Sequence, residues 1–247
     1  MNQNYLKRER IAHELKKLGA EHGDTLFIHS SFKSLGPVDG GAETVIHGLE
    51  DAVGAEGLIL MPSFNLEGGR ELRSKNWNMA TTKSTVGWLT EYFRTMPGTH
   101  RSDHYSHSVA ARGKGAKALV SEHRCMEGMK SPWDMESWGC TYGSRSPMIK
   151  AYNDPRGKLL MLGVDYGSST YCHVAETMYW DRRLERDPNA QYLYFNRESL
   201  GAYWDSLERL KRGFIGCAEC RLFSIRDFVD TLFAAVIDDP DNWTESE

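Results

Sequence analysis

No apolar run in the 247 residues is long enough to cross a bilayer; the longest, such as residues 232–237, stop after a handful of positions, against the roughly 20 that a helical span needs. A membrane span is excluded on that ground. The first residues, MNQNYLKRERIAHELKK, hold no apolar stretch between their charges and no small-residue cleavage site, so they do not read as an export signal. Cysteine is scarce and odd in number: Cys125, Cys140, Cys172, Cys217 and Cys220 are scattered, unlike a disulfide framework. A reducing, cytoplasmic setting is the expectation. Positive charge is in slight deficit, with 30 Lys and Arg against 34 Asp and Glu and a net charge of −4. Without a basic surface for a phosphate backbone, nucleic acid is not an expected partner, whereas mildly acidic walls would suit a cationic ligand. Proline is sparse at 8 residues, and no linker, charge block or fixed-period repeat divides the chain. One domain over 1–247 is therefore expected, as a monomer or homodimer.

What is present alternates strand and helix signals. Residues 3–18 place Leu6, Ile11, Leu15 and Leu18 at helical spacing and stop at Gly19, the pattern of an amphipathic helix with a C-terminal glycine. Residues 25–29, TLFIH, form a short apolar run ahead of a Ser/Gly-rich loop, as a buried strand would. Ala42, Val45, Ile46, Leu49 and Val53 share a helical face, and residues 58–61 supply the next strand. Further helices are predicted over 84–96, 171–183 and 224–236, the last with Ser224 and Asp227 as a capping pair, and a further strand over 159–164. Strand-helix-strand crossovers imply a sheet covered on both faces: a three-layer α/β/α sandwich with a mostly parallel or mixed central sheet.

Several ordered motifs sit on this frame. HSSFKSLGPVDGGA at 29–42 leads into a helix and then MPSF at 61–64. RSDHYSHSVAARG follows at 101–113, SPW at 131–133, GSRSPMIK at 143–150 and LGVDYGSSTYCHVAE at 162–176, with a weaker echo in GCAECRLFSIRDFVD at 216–230. Together these blocks resemble the aminoglycoside 3-N-acetyltransferase family over roughly residues 20–180, with Tyr105 where the family has proline. The resemblance implies acetyl transfer from acetyl-CoA, as co-substrate and without a metal, to an amine, first of all the 3-amino group of the 2-deoxystreptamine ring of an aminoglycoside, conferring resistance. A non-aminoglycoside amine, or binding of coenzyme A or antibiotic without turnover, is the alternative.

Amine acetylation needs a base to free the nitrogen lone pair. His173 would sit in a first helical turn at a strand's carboxyl end, where ligands collect in α/β sheets and where the helix amino terminus disfavours imidazolium. Its orienting carboxylate is left open between Glu176, three residues on along the same helix, and Asp205, toward which the resemblance points, with Glu208 behind it. Thr170 is a candidate for the oxyanion that develops on the thioester carbonyl. Ser30, Ser31, Lys33, Ser34, Leu35, Gly36, Val38, Gly40 and Gly41 form the candidate coenzyme loop, since hydroxyls and unhindered N–H groups before a helix suit a pantetheine arm and diphosphate. Arg101, Ser102 and Ser108 would close that site. Phe64, Asp103 and His104 are substrate-side candidates, and Glu67, Glu71, Asp134 and Glu136 could add acidic walls.

Rival chemistries lack their signatures. His104 and His107 have no HExxH arrangement, and Cys217-x-x-Cys220 has no second ligand pair at matching spacing. No G-x-S-x-G elbow occurs, and GKGAKA at 113–118 follows no long apolar strand.

Overall fold

The computed structural model describes residues 5–245. Seven strands, β1 (Thr25–Ser30), β2 (Leu58–Pro62), β3 (His100–Arg101), β4 (Val109–Gly113), β5 (Gly157–Leu162), β6 (Lys211–Ile215) and β7 (Ala218–Ser224), form one sheet in the order β3-β4-β2-β1-β5-β7-β6. Its helices are α1 (Arg8–Leu18), α2 (Gly41–Val53), α3 (Arg70–Asn76), α4 (Trp88–Thr95), α5 (Ala116–Val120), α6 (Pro147–Asn153), α7 (Tyr171–Leu184), α8 (Arg197–Ser206), α9 (Ile225–Asp238) and α10 (Pro240–Trp243). None of the described helices is long and apolar enough to cross a membrane.

Period-two alternation splits the core into two layers. From β1, Leu26 and Ile28 face the α1, α2 and α4 side, joining Ile11, Leu15, Val45, Leu49 and Phe93. Phe27 faces the opposite side, with Tyr171 and Val174 of α7 and Phe228 and Leu232 of α9. A three-layer α/β/α sandwich results. Its sheet is mixed: β1 pairs in parallel with β2 and β5, while the β2–β4, β3–β4, β5–β7 and β6–β7 pairs are antiparallel. The expected run of parallel crossovers is thus confined to the three central strands, because β4 and β7 return to the sheet antiparallel beside their neighbours.

Boundaries differ from expectation where glycine or loop chemistry intervenes. Helix α1 begins at Arg8 rather than residue 3; Leu6 instead bridges Val38, and residues 3 and 4 lie outside the described residues. The helix expected over 84–96 begins only at Trp88, after Gly87 at φ 140°, a conformation closed to most side chains. Strand β5 stops at Leu162, because Gly163 at φ 65° turns the chain away. The capping at α9 is as predicted, the Asp227 N–H donating to Ser224 Oγ at 3.2 Å.

Candidate active site

Strand β1 has β2 on one side and β5 on the other, so the connections leaving the carboxyl ends of the three central strands diverge and open a crevice between them. A cavity of about 500 Å³ occupies it. His29 and Ser30 reach it from the end of β1, Pro62 and Phe64 from β2, and Val164, Gly167 and Thr170 from the segment joining β5 to α7. Helix α7 then presents His173 in its first turn, and α8 presents Arg197 as its first residue.

His173 Nδ1 lies 2.5 Å from Glu176 Oε2. A carboxylate only accepts, so Nδ1 carries the proton and Nε2 keeps its lone pair. Glu176 has no exposed surface, yet all its contacts are productive: the Tyr192 hydroxyl donates to Oε2 at 2.7 Å and the Phe195 N–H to Oε1 at 3.1 Å. Burial pushes its carboxyl up, but the bond from His173, the charges of His173 and Arg197 and the Tyr192 hydroxyl outweigh that and hold it below the usual range. Arg197 Nη2 is 2.9 Å from His173 Nε2 and 3.0 Å from Nδ1. One nitrogen cannot lie along both lone-pair directions, so the guanidinium rests against the ring as a neighbouring charge. Burial first, and this cation second, lower the His173 pKa, while Glu176 raises it; the net shift is downward. Near neutral pH His173 is therefore a neutral imidazole whose Nε2 can accept a proton.

Other residues expected at the site are placed as follows. Asp205 lies on α8, where its carboxylate accepts from the Tyr166 hydroxyl at 2.6 Å and pairs with Arg212 at 2.7 Å. That geometry corrects its expected position beside His173: α8 directs Arg197, and not Asp205, to the ring. Glu208, held in reserve, follows the end of that helix at φ 54°. Thr170 lines the cavity, but its N–H donates to His29 Nε2 at 3.2 Å and its hydroxyl lies at the same distance from that nitrogen. Burial lowers the His29 pKa to about 3, with Arg197 adding to the effect, so this ring stays a neutral acceptor.

In the candidate coenzyme loop, Ser30 lines the cavity, and its buried hydroxyl has no hydrogen-bond partner among the described residues. Ser31 donates its N–H to Leu162 O at 2.9 Å, and Ser34 Oγ donates to Ser31 O at 2.7 Å, fixing the turn. Leu35 is a core residue, Val38 is half-buried, Lys33 and Gly40 are exposed, and Gly36 and Gly41 take positive φ. Arg101 is engaged structurally, donating to carbonyls of Ser63, Met79 and Thr82 beneath the Trp77 ring. Ser102 and Ser108 are fully buried: Ser102 Oγ accepts from the Val109 N–H and Ser108 Oγ donates to Ser63 O.

On the substrate side, Phe64 lines the cavity and packs on His107. His104 and Asp103 do not reach it. His104 is buried with Nδ1 on Ser106 O and its ring stacked on His123, and Asp103 pairs with Arg124 and accepts from Trp77. The expected acidic walls are not there: the cavity lining includes Arg73 and Arg197 and no carboxylate side chain. Glu67 and Glu71 border other recesses, and Asp134 is spent on Ser131 and Thr141. Among the described residues no cluster of three or more His, Cys, Asp or Glu could hold a metal ion.

Sequence reasoning gave no site role to His29, Arg73, His107, Trp133 or Arg197, all of which line the cavity, although His29, His107 and Trp133 fall within the ordered motifs. His29 had a signal, as the last side chain of a buried strand at its carboxyl end. Arg197 had a weaker one: Asn196 caps α8 by accepting the Ser199 N–H, and cap residues mark helix starts. His107, at φ 50°, had its signal in the RSDHYSHSVAARG motif rather than in any helix or strand pattern.

A family description, aminoglycoside 3-N-acetyltransferase, matches residues 27–236. The chain belongs to that family. It is a family of acyltransferases. Among its relatives is the SPbeta prophage-derived aminoglycoside N(3')-acetyltransferase-like protein YokD of Bacillus subtilis (strain 168), 30% identical over 257 residues, covering 90% of this chain and 89% of the relative. The crystal structure of YokD superposes with a TM-score of 0.76 at 27% identity, over 96% of this chain and 95% of that one. The structure of AAC-IIIb as a binary complex with CoASH shares the fold, with a TM-score of 0.75 at 20% identity over 99% of this chain and 100% of that one.

Proposed function

We propose that this protein transfers an acetyl group from acetyl-CoA to an amine, with His173 as general base and Glu176 as the carboxylate that orients it. The observation carrying the reading is the His173–Glu176 pair at 2.5 Å, opening on a cavity at the ends of the central strands. His173 Nε2 takes the proton of the amine as its nitrogen attacks the thioester carbonyl; the resulting imidazolium is stabilised across Nδ1 by Glu176. As the carbon–sulfur bond breaks, the same proton is available to the departing thiolate. The unpartnered Ser30 hydroxyl supports a donor arm entering along the 30–41 loop, and a structural neighbour holds CoASH. Because Thr170 is bonded to His29, the oxyanion falls first to Arg197, beside the base.

The acceptor class that the family brings is the aminoglycosides, acetylated at the 3-amino group, with resistance as the consequence. A second reading, a non-aminoglycoside amine, is favoured by the lining of two arginines without a carboxylate. Thiol release from acetyl-CoA, followed with a panel of aminoglycosides and other primary amines, tests the reaction; release with none of them would sink the reading.

A further inference from the structure

Two cations face the cavity, and they are not equivalent. Arg197 is matched by Glu176 at 3.5 Å and lies against His173. Arg73, on α3, is half-buried and has no carboxylate within ion-pair distance among the described residues. Its Nη1 donates to Asn65 O at 3.2 Å, and its buried Nε has no partner. Leu66 and Phe64, on the same wall, offer nothing to neutralise it, and Glu67, which borders a second recess together with Arg73, forms no ion pair with it. The charge reaches into the site: after burial and the neighbouring rings of His173, His104 and His123, Arg73 adds to the lowering of the His107 pKa.

We propose that the acceptor amine carries a carboxylate that binds Arg73. This rests on the acetyl-transfer reading above and narrows its acceptor. A planar guanidinium with unfilled donors suits bidentate capture of a carboxylate. An anionic ligand supplies the counterion that this cation otherwise lacks. A polycation instead brings further positive charge to a wall that has no carboxylate to receive it, so the same residue that selects an anionic amine disfavours an aminoglycoside.

Matched dipeptides test this, each with a free carboxyl terminus or amidated, so that size and amine are constant and only the anion changes. With wild-type protein, kcat/KM for the acid should exceed that for the amide by roughly tenfold or more, as a charge-assisted hydrogen bond provides. In Arg73→Gln the preference should vanish through a raised KM for the acid, and Arg73→Lys should keep part of it. Gentamicin should improve as a substrate in Arg73→Glu. Equal use of acid and amide, or gentamicin outperforming both with its rate falling in Arg73→Glu, overturns the proposal and leaves acetyl transfer intact. A raised KM for acetyl-CoA in place of the acceptor assigns Arg73 to a donor phosphate and also overturns it. Equilibrium titration of acid and amide without donor separates the two failures: acid-selective, Arg73-dependent binding supports the anion subsite even with no thiol release, and indifferent binding refutes it.

Discussion

Glu176 Oε2 sits 2.5 Å from His173 Nδ1, three residues along one helix, and the carboxylate has no exposed surface. A buried carboxylate so fully hydrogen-bonded fixes both ring orientation and tautomer. His173→Ala should therefore lower kcat by about 10²- to 10⁴-fold with little change in acetyl-CoA affinity. Glu176→Gln should lower kcat as well, whereas Asp205→Asn should cost stability, about 1–3 kcal/mol for the lost charged partner of Tyr166 and Arg212, and leave the base intact. Steady-state kinetics beside urea unfolding separates the two, and a kcat loss in Asp205→Asn equal to that in Glu176→Gln would contradict the assignment.

The pH profile carries a second expectation. His173 is lowered from its ordinary value of about 6.5, so the acid limb of kcat/KM should fall below that value. Glu176 favours imidazolium and Arg197 opposes it. Glu176→Gln should move the limb to lower pH and Arg197→Gln to higher pH, measured on one acceptor so that its own amine titration is shared. Shifts of the same sign in both variants would refute the opposition of the two charges.

The difference between what was legible and what was not follows from range. β1, α2 and α9 are specified by local periodicity and caps, and the position of His173 by the strand-loop-helix pattern around it. The partner of His173 was half legible, because Glu176 obeys helical spacing while Asp205 depends on how α8 packs. Arg73 and Arg197 reach the cavity from helices distant in sequence, and nothing local announces a cation's final direction. The acidic walls failed for the same reason: Asp103 and Asp134 read as free charges until packing gives them to Arg124 and Ser131.

Gly163 packs closely against the candidate coenzyme loop. It takes φ 65°, and a Cβ there would lie 1.8 Å from Ser34 Oγ, in the turn that begins at Ser30. Gly163→Ala combines a left-handed backbone, worth about 1–2 kcal/mol, with a clash that must displace Ser34. KM for acetyl-CoA should rise more than KM for the amine, with a lowered Tm. Equal effects on both would make the 30–41 turn structural only.

Four histidines, His29, His104, His107 and His123, are buried, and burial lowers the pKa of each, to about 3 for His29 and about 4 for His104. All four remain neutral in the folded protein while the unfolded chain takes up protons below about pH 6.5. Stability is therefore complete above pH 6.5 and is lost as pH falls toward 4, at about 1.4 kcal/mol per pH unit for each proton taken up. His123 shows why neutrality is built in: Nε2–H donates to Thr141 O at 3.0 Å, and Nδ1, 3.0 Å from Ser102 Oγ, is left to accept its proton. His123→Gln can preserve one of these bonds while removing one titration. Urea unfolding at pH 7.5, 6.5 and 5.5 should show a steep loss of free energy across the lower interval in wild type, and a loss smaller by about one proton in His123→Gln. A wild-type free energy that stays flat from pH 6.5 to 5.5 would mean that these rings already bind protons in the folded state.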